Sequence, residues 1–251
     1  RRLSYILISE GNASDVLNTY PKSAIIQGVF LMNMVESEIR KGTMPDIPFV
    51  EFVIRMVDKG IDPVAIIINS DGDNLNYSGL AVFKGQRMVG KLDVEEGWNF
   101  IQLAEKRFGG LEVVRDVKDE LGRVTVLFSD IESSMRPVLT EENNFLFKLD
   151  LEFEGKIISQ ETTTDYSNKT FFNQLEQRVS NEVKREVGVI FYKTQNKYNS
   201  DIFGFGEMVK AYMPVEWRKI DDWREIFKKA KLEITVRTNI RKIGMSTFKQ
   251  N

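Results

Sequence analysis

The stretch Lys84 to Asp93, KGQRMVGKLD, contains Gly85-x-x-x-x-Gly90-Lys91. Glycines at that spacing followed by lysine are what a phosphate-cradling loop requires, and the chemistry would be nucleotide hydrolysis. Such a loop also needs a hydroxyl after its lysine to hold Mg²⁺, and a helix beginning there so that backbone N–H groups converge on the phosphates. The next residue is Leu92, and Met88, Gly90 and Leu92 alternate against Arg87, Val89 and Lys91 with the period of a strand. The segment reads as the second strand of a hairpin, with Gly85 supplying the tight turn.

Four other constellations have spacings that could carry chemistry. FGFGE, Phe203 to Glu207, carries two glycines one residue apart, but the third glycine of a dinucleotide fingerprint would fall at Val209. Close packing at Gly204 and Gly206 explains the pair without a ligand. Ser246-x-x-Lys249 has the spacing of a serine–lysine nucleophile, yet no Ser-Asp-Asn or Lys-Thr-Gly partner occurs, and the pair sits at the C-terminus. Asp71 and Asp73 resemble the opening of a calcium loop whose closing glutamate is missing, since Leu80 or Val82 stands there; a solvated turn is the reading. Asp130 and Glu132 fall on one side of a strand, as surface alternation also predicts. Trp98, Trp217 and Trp223 are expected in the core or at its edge rather than as ligand stackers.

Composition removes more chemistry than these motifs add. The 251 residues contain neither histidine nor cysteine, so disulfides, thiolate metal sites, thiol nucleophiles and the commonest general base are all absent. A net charge of -2 and a pI near 5.6 provide no basic surface for nucleic acid. The longest apolar runs, such as Val64 to Ile68, fall far short of the roughly 20 residues a membrane-crossing helix needs. The first residues, Arg1-Arg2-Leu3, lack an initiating methionine and a signal core, and read as a fragment or processed product.

The expected elements are a short strand within Leu3 to Ile8, a helix from Ala24 to Ile39 with a broad buried face, and a second helix after Asp46. The apolar residues of that second helix run almost all round it, so it is expected to be covered on both sides. A doubly buried strand at Val64 to Ile68, two strands at Tyr77 to Phe83 and Gln86 to Leu92, and a helix opened by the capping box Asp93-x-x-Glu96 complete the first half. Its inward face is expected to carry Val94, Trp98, Ile101 and Phe108. The second half alternates cleanly: Val124, Val126 and Phe128, then Phe145 to Phe153, imply an antiparallel sheet with one dry face. A helix from about Lys169 to Lys197, roughly 43 Å long, should lie across it. Asp201 and Asp221/Asp222 cap further short helices, and a strand from Leu232 closes the chain. The class is α+β: two packed domains, a mixed α/β module over residues 1–109 and an α+β domain over 110–251, divided at Gly109-Gly110.

Three stretches, RRLSYILISEGNASDVL (Arg1 to Leu17), YSGLAVFKGQRMVGKLDVEEG (Tyr77 to Gly97) and the run from Ser200 (SDIFGFGEMV) through WRKIDDWREIFKKAKLEITVRTNIRKIG to Gly244, resemble the Ger(x)C family, the C subunit of spore germinant receptors. The resemblance covers essentially the whole chain and implies a preceding third with a signal peptide, a lipid-modified cysteine and a further domain. It implies a palmitate-bearing lipoprotein on the outer face of the inner spore membrane, beside the integral membrane subunits A and B, required for nutrient-triggered germination. It implies no catalytic, cofactor-binding or metal-binding residue, and no nucleic acid partner. The rival reading is a small-molecule binding protein or enzyme with a pocket near Gly109-Gly110, using buried carboxylates such as Glu105 or Glu207.

Overall fold

A computed structural model describes residues 4–19, 26–72, 74–104, 113–119, 122–161 and 169–241. The chain folds as β1 (Leu7–Ser9), α1 (Ala13–Asn18), α2 (Gln27–Arg40), α3 (Phe49–Val57), β2 (Val64–Ser70), β3 (Leu75–Lys84), β4 (Arg87–Leu92) and α4 (Val94–Ala104). It continues through β5 (Val113–Asp119), β6 (Gly122–Leu139), β7 (Phe145–Gln160) and α5 (Lys169–Tyr192), which runs directly into a π-helical turn, Lys193–Tyr198. The short helices α6 (Phe205–Tyr212), α7 (Pro214–Trp217) and α8 (Trp223–Phe227) precede β8 (Lys231–Arg241). This is the α+β class the sequence predicts.

Two compact units emerge, each assembled from separate stretches of chain. The first draws on Arg1–Lys106, Met135–Lys148 and Glu186–Glu233, the second on Arg107–Ser134, Leu149–Arg185 and Ile234–Asn251. The boundary expected at Gly109-Gly110 lies outside the described residues.

In the first unit, one sheet has the order β1-β2-β3-β4. β1 lies parallel to β2, with Leu7 opposite Ile66, because three helices intervene between them in sequence. β2, β3 and β4 are antiparallel neighbours joined by short turns. Val64 to Ile68 is buried on both faces, as its unbroken apolar run requires. Gly85 takes φ +56 in the β3–β4 turn, a conformation that favours glycine. The capping box closes in both directions: the Glu96 N–H donates to Asp93 Oδ1 at 2.9 Å and the Asp93 N–H to Glu96 Oε2 at 2.9 Å.

Helices in this unit depart from the sequence expectation. α2 has one fully buried apolar residue, Val35, in place of a broad buried face. α3 is not covered on both sides: Phe52 is buried, while Phe49, Val50, Ile54 and Val57 are exposed. α4 turns Gly97, Phe100 and Ile101 inward and leaves Val94 exposed, since a Cβ on Gly97 would stand only 2.6 Å from the Tyr77 hydroxyl. Phe108 lies outside the described residues. An aromatic core fills the C-terminal part of the unit, with Phe205 centred 4.4 Å from Phe147, 5.5 Å from Phe191 and 5.9 Å from Phe227.

The second sheet has the order β5-β6-β7-β8. β5 and β6 are antiparallel. β6 and β7 form a long hairpin, closed at one end by Thr140 bonding Asn144 and still in register at the other, where the Glu161 N–H donates to the Arg123 carbonyl at 2.7 Å. β7 alternates buried and half-exposed residues from Phe145 to Ile157, as its sequence predicts. The fourth strand adds what the sequence did not reveal. Asn239 bonds Glu152 and Arg241 bonds Glu154, so partners advance together along both strands and β8 runs parallel to β7. The antiparallel expectation therefore holds for β5, β6 and β7, and α5 is the crossover to β8. Its buried stripe includes Leu175, Val179, Val183, Val187 and Ile190; Ser180 shares a hydrogen bond with Thr238, and the Ile240 N–H donates to Glu176.

Candidate functional site

The phosphate-loop resemblance dissolves in the structure. Gly90 lies in β4, and a Cβ there would sit 2.1 Å from the Tyr198 ring, so the residue is glycine because an aromatic ring covers it. The Tyr198 hydroxyl donates to the Lys91 carbonyl at 2.9 Å. The Lys91 ammonium is paired with Glu10, whose carboxylate also accepts from the Ser78 hydroxyl, and this pairing raises the lysine's pKa. Gly90, Lys91 and Leu92 are all strand residues of β4, and α4 begins only at Val94, past its capping residue Asp93.

FGFG surrounds a buried carboxyl group that belongs to the protein itself. Asp201 is fully buried and collects four donors: the N–H groups of Gly204 and Phe205 on Oδ1 at 3.0 and 3.1 Å, and the Gly206 N–H and Trp223 Nε1–H on Oδ2 at 2.9 and 2.8 Å. The acid thus caps α6 from four residues upstream of its first helical residue, a longer reach than an ordinary N-cap. Burial pushes its carboxyl up to about 7, while the N–H donors favour the anion and the neighbouring Asp62 opposes it. Gly204 takes φ +77 to let the chain fold round the carboxylate.

Asp62 forms the other half of the arrangement. Its N–H donates to the Asp201 carbonyl at 2.7 Å, and its Oδ2 accepts the Asp201 N–H at 3.1 Å. Its Oδ1 accepts from the Gly85 N–H at 2.8 Å and from the Arg224 guanidinium at 2.6 Å. Side chains of the π-helical turn hold the same corner: Gln195 donates to the Phe227 and Ala230 carbonyls, and the adjoining Ser200 to the Phe83 carbonyl. Every carboxylate oxygen here is occupied by protein donors in a dry setting. The arrangement fixes a corner and has no open position for a reacting atom. Asp62 and its pairing with Asp201 escaped the sequence reading; the signals were a lone acid before Pro63 and an acid ahead of a Gly-x-Gly pair.

The remaining candidates are dispersed. Asp71 organises a solvated turn by accepting from the Asn74 N–H at 2.7 Å; Asp73, Glu105, Ser246 and Lys249 lie outside the described residues. Glu132 is exposed on β6. Glu207, expected as a buried carboxylate, is exposed on α6, because the helix buries Phe205 and Val209 instead. Trp223 is in the core, and Trp217 and Trp98 stand at its edge. Among the described residues, no group of three or more acidic side chains is placed to hold a metal ion, and no helix is long and apolar enough to cross a membrane.

What stands out on the first unit is therefore a surface. The outer side of α3 is apolar, and beside it lie Glu51, Asp58 and Glu207 with Arg55 and Lys210 between them.

Comparison with known proteins gives this fold a context. Residues 78–244 match the family described as spore germination B3/GerAC like, C-terminal, and residues 1–70 match the spore germination protein N-terminal domain. Spore germination protein YndF of Bacillus subtilis (strain 168) is 25% identical over 97% of the chain and 60% of its own length. Spore germination protein B3 of the same organism is 20% identical over 97% of the chain, and GerQC of Bacillus cereus 19% identical over 96%; each is covered over 66% of its own length. The crystal structure of the GerBC protein shares the fold, with a TM-score of 0.76 at 18% identity, over 96% of this chain and 69% of that one. The chain spans about three-fifths to two-thirds of the curated relatives named here. With a family match over more than half its residues, this chain belongs to the spore germination B3/GerAC-like family.

Proposed function

We propose that the chain is part of a C-type subunit of a spore germinant receptor, one that works by contact rather than catalysis. In this reading it is held at the outer face of the inner spore membrane by a lipid on a cysteine outside these residues. There it meets the integral membrane subunits A and B and is required for the response to nutrients. The observation that carries the reading is the family match over residues 78–244, joined by a second over residues 1–70. The chemistry agrees with it. The buried carboxyl groups of Asp62 and Asp201 are saturated by N–H donors, and Lys91 of the phosphate-like motif is engaged by Glu10.

The test is affinity purification of the tagged full-length parent protein from detergent-solubilised spore membranes, with germination of the corresponding deletion strain followed by loss of optical density. The expected result is co-purification of integral membrane receptor subunits and a germination defect restored by the tagged gene. Normal germination in the deletion strain, or a parent protein that leaves no trace in the membrane fraction, would overturn the reading.

A further inference from the structure

α3 carries its polarity the wrong way round for a helix on a protein surface. Its one cation turns toward the protein: the Arg55 side chain is only 12% exposed against 40% for its partner Glu51, its Nε donates to Glu51 Oε1 at 2.8 Å, and its guanidinium reaches the Ile202 carbonyl at 3.4 Å. Phe49, Val50, Ile54 and Val57 face outward, 50%, 66%, 49% and 71% exposed. At about 100° per residue these four span roughly 140° of the helix, a continuous stripe. Single exposed apolar residues are ordinary on any protein, but four on a nine-residue helix whose arginine faces inward need an occupant.

One border of the stripe is acidic. Glu51 and Asp58 follow Ile54 round the helix by about 40–60°. α6 brings Glu207 to the same border, and Lys210 Nζ lies 3.3 Å from Asp58 Oδ2. Partial desolvation, then the Asp58 carboxylate, raises the carboxyl of Glu207, with Glu51 adding to the effect and Arg55 and Lys210 opposing it. Three acids thus share two cations, one of them turned inward. A second copy of the chain would bring the same acidic border, like against like, and an anionic lipid surface would be repelled by it.

We propose that this face of α3 docks an amphipathic helix of another polypeptide, apolar along one stripe and carrying lysine or arginine on the edge that meets Glu51, Asp58 and Glu207. The proposal rests on the contact role above and names the surface that performs it. The recognition is helix against helix, with Val50, Ile54 and Val57 at the i, i+4 and i+7 positions of the stripe.

The test titrates the ¹⁵N-labelled chain with two synthetic helical peptides of about 18 residues sharing one leucine stripe, one with lysine and the other with glutamate at every remaining position. The expected result is a set of shift changes confined to α3 and α6, with the lysine peptide bound at least about tenfold more tightly than the glutamate peptide. Val50→Ser/Ile54→Ser, on exposed positions that leave the fold intact, should weaken the lysine peptide by about tenfold, and Glu207→Gln should narrow the gap between the peptides. Equal binding of both peptides, shifts centred elsewhere, or indifference to Val50→Ser/Ile54→Ser would overturn the proposal. So would a dimer in sedimentation, or co-sedimentation with phosphatidylcholine/phosphatidylglycerol vesicles, that the same double variant abolishes. A parent protein that co-purifies with receptor subunits while the chain fails this titration would remove the α3 surface and leave the receptor reading standing.

Discussion

Gly60 and Gly206 meet backbone to backbone: the Glu207 N–H donates to the Gly60 carbonyl at 3.1 Å, and a Cβ on Gly206 would fall 2.5 Å from the Gly60 Cα. The same Cβ would lie 2.7 Å from Trp223 Nε1, the donor that serves Asp201. Neither neighbour can yield, since one is main chain and the other is fixed by its hydrogen bond. Gly206→Ala is expected to destabilise the first unit by about 2–4 kcal/mol through overpacking. Urea denaturation followed by tryptophan fluorescence measures this, and an unchanged midpoint would contradict the contact.

Asp201→Ala at pH 8 leaves four N–H donors without an acceptor in the dry interior and opens a small cavity. A loss of about 3–5 kcal/mol is expected. In hydrogen exchange, the amides of Gly204 to Gly206 should lose protection first.

The pH dependence follows from the direction of the same shift. Burial raises the Asp201 carboxyl from 3.8 to about 7, so the folded chain binds this proton more tightly than the unfolded one. Its stabilising contribution is complete below about pH 4 and is lost as pH rises through 7, a fall of up to about 4 kcal/mol from this one group. Melting temperatures from pH 5 to pH 8 should decline with a component that Asp201→Asn abolishes. A wild-type profile that rises across that window with no difference from the variant would refute the assignment.

Gly90 and Tyr198 form a pair whose energies should not add. Gly90→Ala drives a methyl into the Tyr198 ring, at an expected cost of about 1–3 kcal/mol. In a Tyr198→Ala background the ring is gone and the same substitution should cost little, leaving a coupling energy of about 1 kcal/mol or more. Additive effects would mean that Gly90 is glycine for another reason.

Millimolar ATP or GTP with Mg²⁺ should leave the melting temperature unchanged, because Lys91 is engaged by Glu10 and lies within strand β4 rather than at the start of a helix. A ligand at 100 times its dissociation constant would stabilise by about 2.7 kcal/mol, an effect a thermal scan resolves easily. The same scan against amino acids, sugars and nucleosides addresses the rival small-molecule reading.

Local signals were legible in the sequence wherever one short segment contains the whole cause. The Asp93–Glu96 box, the Gly85 turn, the Asp222 cap, which accepts from the Arg224 N–H, and the alternation of β7 each depend on residues a few positions apart. Hidden features depend on partners far along the chain. Asp62 and Asp201 are 139 positions apart, and nothing near either one announces the other. The parallel placement of β8 is decided by the α5 crossover and not by its own alternation. α3 misled for the opposite reason: apolar residues all round a helix usually mean burial, and here part of that surface faces water.

β2 and β3 are matched at seven positions, from Val64 with Val82 to Ser70 with Leu75, yet the two family regions meet between residues 70 and 78. Recombinant fragments designed on that division would sever a hairpin at its turn. The shorter piece would end in a bare ribbon of valine and isoleucine, greasy on both sides and open along one edge, a template for aggregation. Producing the first region alone is thus expected to yield inclusion bodies, and a workable truncation has to keep Leu75 to Leu92 with it.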